Sequence, residues 1–278
     1  MKLLRYRYQN SIKPAIVDDE NNIRDVSSII EDWAGNTIND ETINIVKNSD
    51  INKFSIIDKN VSIAPCIGNV GKFLCIGLNY SDHALETKMK IPSEPIIFMK
   101  ATSSISGPND DIVLPKNSKK TDWEAELGLI IGKEAKYITE EDAHNHIAGY
   151  CIINDVSERE FQMERMGQWV KGKSCDTFGP IGPYIVTKDE ISNPQNLKIL
   201  LKVNGKLMQN GSTATMVYNV NYLVSYVSQF MSLQPGDIIS TGTPPGVGMG
   251  MNPEVYLSKG DTIEITIEGL GNQKQNII

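Results

Sequence analysis

The rhythm of apolar and polar positions changes once along this chain, near residue 70. Before that point, "KLLRYRYQ" alternates weakly, as a half-buried strand does. "KPAIVD" and "IRDVSSII" flank the turn-rich "DDENN" and predict a hairpin. "DETINIVKNSDIN" has the spacing of a short amphipathic helix with Asp40 as its N-cap. After that point, short apolar runs alternate with Gly/Pro turns: "KFLCIGLNY", "EPIIFMKA", "ELGLIIGK", "IAGYCIINDVS", "IGPYIVTKDEI", "LKILLKVNG", "GDIISTGTPPGVGMG" and "DTIEITIEGLG". Helical spacing is confined to "SDHALETKM", "TEEDAHNHI" and "NYLVSYVSQFMS". The pattern predicts a mostly β protein with some α. A small N-terminal α+β domain, 1–68, precedes a larger domain, 69–278, built as a sandwich or barrel-like roll.

Composition narrows the function classes. The 278 residues suffice for a sizeable core, and 40% hydrophobic with 22% charged residues is ordinary for a soluble globular chain. A formal net charge of -7 disfavours general affinity for nucleic acid or anionic membrane. No secretory h-region stands at "MKLLRYRYQN", and no run reaches the roughly 18 apolar residues of a membrane span. The cysteines Cys66, Cys75, Cys151 and Cys175 are widely spaced, which points to reduced thiols in a cytoplasm and away from a zinc cluster.

The chemistry begins at "KTDWEAELGLIIGKE". In a strand, residues two apart share a face, so Asp122, Glu124 and Glu126 point one way. An acidic face in water is the plain reading, yet "LGLII" is apolar on both faces, so the strand runs into a buried region. Two carboxylates at its mouth repel and lose hydration, so either one takes up a proton or a cation sits between them. "IAGYCIINDVSERE" ends a second buried run at Asp155, where a neighbouring strand can present a third carboxylate. Such an all-oxygen set selects Mg²⁺ or Mn²⁺, with Ca²⁺ as a further candidate, over Zn²⁺ or Cu²⁺.

Other residues carry weaker signals. His83 and Glu86 form H-x-x-E. On a helix the two share a face, and the pair is either a water-activating dyad or an incidental surface pair. Arg159 and Gln162 follow Asp155 by four and seven residues, and on a helix starting there both lie near the carboxylates and can donate to an oxyanion. Lys171 and Lys173 stand in a loop, with Asp176 as a partner for Lys173, and Cys175 reads as structural. "STGTPPGVGMG" lacks the phosphate-loop pattern, but Gly242 and its flanking threonines, Thr241 and Thr243, offer N–H and O–H donors to one carboxylate. His144 and His146 face apart on a helix and read as surface residues.

Five segments in one order, "GLNYSDHALE", "DWEAELGLIIGK", "NDVSERE", "GKSCDTFGPIGP" and "GDIISTGTPPGVG", resemble the fumarylacetoacetate hydrolase family over roughly residues 70–270. The resemblance implies a mixed β-roll catalytic domain, a bound Mg²⁺ or Mn²⁺, a homodimer, and a small-molecule 2-oxo or 2,4-dioxo acid as substrate. By position, Glu124, Glu126 and Asp155 match the family's metal ligands. His83 and Glu86 match its base and orienting acid, and Lys173 its active-site lysine. Thr243, with Gly242 beside it, matches a substrate contact, and "ETKMKIPSEP" resembles a lid. "FQMERMGQWVKGKSCDTFGPIGP" resembles the branch named for 2,4-diketo-3-deoxy-sugar-acid hydrolases and ureidoglycolate lyases. Lys171 stands where arginine is frequent in the family, and Glu158 where a small residue is frequent. The expected activity is metal-dependent hydrolysis of a C–C bond in a 2,4-dioxo acid such as an acylpyruvate or a fumarylacetoacetate-like compound. The alternatives are a lyase, decarboxylase or isomerase using the same enolate, and a non-catalytic metal-dependent binder of 2-oxo acids.

Overall fold

The structure, a computed structural model, describes residues 1–86 and 90–278, with the side chains of 83–85 outside the description. The N-terminal part supplies strands β1 (Lys2–Tyr8), β2 (Ser11–Val17), β3 (Ile23–Asp25) and β4 (Ile56–Ile57) and helix α1 (Asp40–Lys47). The expected hairpin is the antiparallel pair β2–β3. Helix α1 is capped one residue earlier than its spacing suggests. Asn39 is extended and its side chain accepts the Thr42 N–H, while Asp40 lies in the first turn, where its charge favours the dipole.

Next come β5 (Phe73–Gly77), α2 (Ser81–Glu86), β6 (Ile96–Lys100), β7 (Ile105–Ser106), β8 (Thr121–Asp122), β9 (Ala125–Ile131), β10 (Ile147–Asn154), β11 (Ser157–Glu158), α3 (Val170–Lys173) and β12 (Gly179–Thr187). The chain finishes with β13 (Lys198–Val203), β14 (Lys206–Ser212), α4 (Val220–Ser228), β15 (Ile238–Ser240), β16 (Thr262–Ile267) and β17 (Gly271–Asn276). The protein is mostly β.

The main sheet runs β4-β3-β2-β1-β12-β10-β9-β15-β5-β6, and β7 joins it by pairing parallel with β12. The chain therefore leaves one edge at β6 and returns beside β12, which bends the sheet into a roll. Strands β9 and β10 are buried on both faces, and their near-continuous apolar runs pack Leu127, Leu129, Ile131, Tyr150 and Ile152 into one large core. Burying each such side chain stabilises by about 1.5–3 kcal/mol. A four-stranded sheet, β14-β13-β16-β17, packs on that core through Ile199, Leu201, Ile263 and Ile265. The N-terminal strands extend the main sheet, because Lys2 and Leu3 of β1 pair with Val186 and Ile185 of β12.

Two helical expectations change. "TEEDAHNHI" forms only a short 3-10 turn, Ala143–His146, because β10 begins at the next residue. After Asp155 the chain first pairs β11 with β8, then makes a single π-helical turn at Glu160–Glu164. No helix among the described residues is long and apolar enough to cross a membrane.

Candidate active site

Two adjacent strand ends build an acidic centre. Ala125 pairs with Asn154 across the β9–β10 ladder, and one step further the Asp155 N–H donates to the Glu124 carbonyl at 2.9 Å. The ladder thereby sets Glu124 and Asp155 side by side, with Glu126 opposite Ile153 as the third acid. Carboxylate oxygens from Glu124, Glu126 and Asp155 lie within 4.8 Å of one another. All three side chains are buried.

Asp122 does not share this face. Trp123 and Glu124 separate β8 from β9, and β8 pairs with β11 in its own ladder. The break frees Asp122 to accept from the N–H groups of Trp123, Gly248 and Met249 and from Arg159 Nε at 2.9 Å.

Buried acids need compensation, and three cations provide it. Lys173 Nζ donates to Glu124 Oε2 and Asp155 Oδ2, each at 2.7 Å. Lys100 Nζ donates to the other Asp155 oxygen, Oδ1, at 2.6 Å. Arg159 Nη2 pairs with Asp122 Oδ2 at 2.8 Å and Glu124 Oε1 at 2.7 Å. Burial opposes the charge of Lys173, but Asp155 and Glu124 outweigh it and hold the ammonium above its usual range. Among the described residues no cation bonds Glu126. Its Oε2 accepts the Ser240 hydroxyl at 2.5 Å and the Gly242 N–H at 2.9 Å. Burial first, then the charges of Asp155 and Glu124, push its carboxyl well above the ordinary range. Among the described residues, four carboxyls thus meet three cations, and Glu126 is the one with no ion pair.

The remaining expected residues take up distinct places. Glu86 accepts the Gly246 N–H with both oxygens, at 3.0 and 3.1 Å, so it grips the glycine-rich loop. The His83 side chain and 87–89 of the lid segment lie outside the described residues. Arg159 donates to Gln162 Oε1 at 3.1 Å, and both are buried. Thr243 donates its hydroxyl to the Ala125 carbonyl and accepts from Gln209, so it also braces the start of β9. Asp176 is exposed and is not the partner of Lys173, whose short helix α3 aims it at Glu124 and Asp155 instead. Lys171 is exposed and donates to the Arg165 carbonyl. His146 is buried, contrary to the surface reading, because its ring is held between Asp142 and the Lys133 carbonyl; His144 is exposed.

Glu124, Arg159, Gln162, Lys173 and Thr243 form the polar floor of one pocket. Its walls are Leu78, Phe98, Met163, Trp169 and Met249. Glu124 brings one member of the acidic trio to this floor, where Arg159 and Lys173 can stabilise negative charge on an oxygen that docks there.

Sequence reasoning missed Lys100, Ser240 and Gln209. Lys100 shares its strand face with Ile96 and Phe98, and a lysine on an apolar face was the available signal. Glu158, noted only as unusual, is buried and accepts the N–H groups of Lys120 at 2.8 Å and Phe161 at 2.7 Å, which ties the turn after Arg159 to the segment whose Lys120 carbonyl accepts the Arg159 N–H.

The donor set suits a divalent cation. It is all carboxylate oxygen, and the separation of at most 4.8 Å is about twice a Ca–O or Mg–O bond. Glu126 is the member of the trio with no ion-pair partner among the described residues, and a bound cation would favour its ionised form.

Known proteins similar to this chain match it over nearly its whole length. The family described as Fumarylacetoacetate (FAA) hydrolase C-terminal matches residues 72–278. A Burkholderia orbicola (strain MC0-3) protein named only as a hydrolase is 52% identical over 276 residues, 99% of this chain and 98% of its own. Among solved structures, fumarylacetoacetate hydrolase from psychrophilic Exiguobacterium antarcticum is 34% identical with a TM-score of 0.87, covering 100% of this chain and 99% of that one. 2-Hydroxyhepta-2,4-diene-1,7-dioate isomerase from Mycobacterium marinum is 30% identical with a TM-score of 0.77, covering 100% and 98%. Maleylpyruvate hydrolase from Sphingobium sp. SYK-6, solved with manganese(II) ion and pyruvate, is 28% identical with a TM-score of 0.83, covering 100% and 99%.

Proposed function

Because this chain belongs to the fumarylacetoacetate hydrolase family, we propose that it is a divalent-metal-dependent hydrolase that breaks a C–C bond in a 2,4-dioxo acid. The observation that carries this reading is the buried trio Glu124, Glu126 and Asp155, with Lys173 bonded to two of its members. These three acids would hold Mg²⁺ or Mn²⁺. When bound, such an ion supplies Lewis acidity and a hard anchor for neighbouring oxo oxygens.

The chain's own residues do the rest. His83, oriented by Glu86, takes a proton from water. The resulting hydroxide forms a bond to the distal carbonyl carbon, and the C–C bond on its inner side breaks. The electron pair of that bond passes to the pyruvate enolate. Lys173, kept protonated by Asp155 and Glu124, donates to the oxygen that gains charge. Arg159 fixes Glu124 through its second nitrogen and lines the same pocket. Protonation of the enolate carbon leaves pyruvate and a carboxylic acid, so one water is consumed per turnover.

A second reading, an isomerase using the same enolate without water, is supported by the neighbour named an isomerase. Incubation of the Mg²⁺-loaded protein with an acylpyruvate separates the two. Hydrolysis releases one pyruvate and one carboxylic acid for each substrate lost. Substrate loss without pyruvate would overturn the hydrolase reading.

A further inference from the structure

The pocket is polar on its floor and apolar on its walls. Phe98 and Trp169 meet edge to face with centroids 5.2 Å apart. Trp169 is seated against Gly77, where a Cβ would come within 2.7 Å of the indole, so the ring lies directly on the β5 backbone. Met163 stands 40% exposed beside them, and Met249 and Leu78 complete the wall. This is unspent apolar surface next to a site that binds a charged head group.

Charge around the pocket points the same way. Among the described lining residues the cations are Arg159 and Lys173. Arg159 is bonded to Asp122 and Glu124, and Lys173 to Glu124 and Asp155. Lys100, behind them, is bonded to Asp155. None of the wall residues carries a charge or a strong donor except the indole N–H of Trp169. A carboxylate at the far end of a substrate would lose water against this wall and find no free cation among the described lining residues.

We propose that the substrate's acyl tail is uncharged and apolar and lies against Phe98, Trp169, Met163 and Met249. This rests on the reading of the floor as the site of a 2,4-dioxo acid head group. It separates the chain from relatives named for substrates that carry a second carboxylate at the far end. The wall gains contact with each added methylene, about two- to fourfold in kcat/KM while the tail still reaches it.

The test compares two 2,4-dioxo acids of equal length, one ending in an unbranched alkyl chain and one ending in a carboxylate, with the Mg²⁺-loaded full chain. The alkyl compound is expected to have at least about tenfold higher kcat/KM. Trp169→Ala should lower the ratio of long-tail to methyl-tail kcat/KM by about tenfold. Met163→Arg should raise kcat/KM for the carboxylate-tailed compound relative to the alkyl one. Equal or better turnover of the carboxylate-tailed compound by the unaltered protein, or an unchanged tail ratio in Trp169→Ala, overturns the proposal. If no dioxo acid is turned over, the hydrolase reading fails. The tail preference is then decided by calorimetric binding of the same two compounds, where tighter binding of the alkyl tail supports it and equal or weaker binding overturns it.

Discussion

Lys100 Nζ lies 2.6 Å from Asp155 Oδ1, and neither side chain reaches solvent. In sheet order β6 and β10 are four strands apart. Four steps in a flat sheet span about 19 Å, beyond the reach of one lysine and one aspartate. The contact therefore exists only because the sheet rolls, and it ties the closure of the roll to the acid that completes the Glu124–Glu126–Asp155 trio.

Lys100→Met keeps the length and removes the charge. It strands Asp155 between one remaining lysine and low-dielectric surroundings. Chemical denaturation of the metal-free variant should show a loss of about 3–5 kcal/mol. Unchanged stability would mean that the pair contributes nothing to closing the roll.

Asp122→Asn weakens the grip on Arg159 while leaving Glu124, Glu126 and Asp155 in place. Arg159 then drifts by a fraction of a side-chain length. Its kcat/KM on an acylpyruvate should fall by about a hundredfold, with metal affinity far less affected. Parallel kinetics and calorimetric metal titration read the two effects separately.

Gly246→Ala strikes the loop that Glu86 holds. Gly246 has φ +104°, and a Cβ there would sit 2.0 Å from the Met208 carbonyl oxygen. Backbone strain and the clash together should cost about 2–4 kcal/mol by denaturant unfolding.

The Asp189 carboxyl is held down to about 2 by hydrogen bonds from Lys47 and Thr187, against the effect of burial. A depressed carboxyl adds stability above its unfolded value, about 3.9, and loses it as pH falls through its folded value. The difference in melting temperature between the unaltered protein and Asp189→Asn should therefore shrink between about pH 4 and pH 2. The pair is half exposed, so its full contribution should stay under about 1 kcal/mol.

The acidic trio was legible in the sequence because two rules suffice for it. Glu124 and Glu126 stand at the mouth of an apolar run, and Asp155 ends the next one. Asp122 obeyed the same two-residue spacing but left the face, because the ladder breaks at Trp123, whose indole N–H is bound to the Gly246 carbonyl. Nothing local in "SDHALE" or "TGTPPGVG" signals that Glu86 meets Gly246, 160 residues away. Lys100 was hidden for a related reason. A lone lysine at the end of an edge strand looks solvated until the roll folds it under. His146 shows the converse limit, since helical spacing set it outside and the start of β10 drew it in.

The central claim is that Glu124, Glu126 and Asp155 together hold one divalent cation. Calorimetric titration of the chelator-stripped protein with Mn²⁺ tests it most directly, with Glu126→Gln and Asp155→Asn titrated alongside. The account predicts one ion per chain in the unaltered protein and at least about a tenfold loss of affinity in each variant. Binding of Mn²⁺ with undiminished affinity in both variants, or no binding to the unaltered protein, would contradict it.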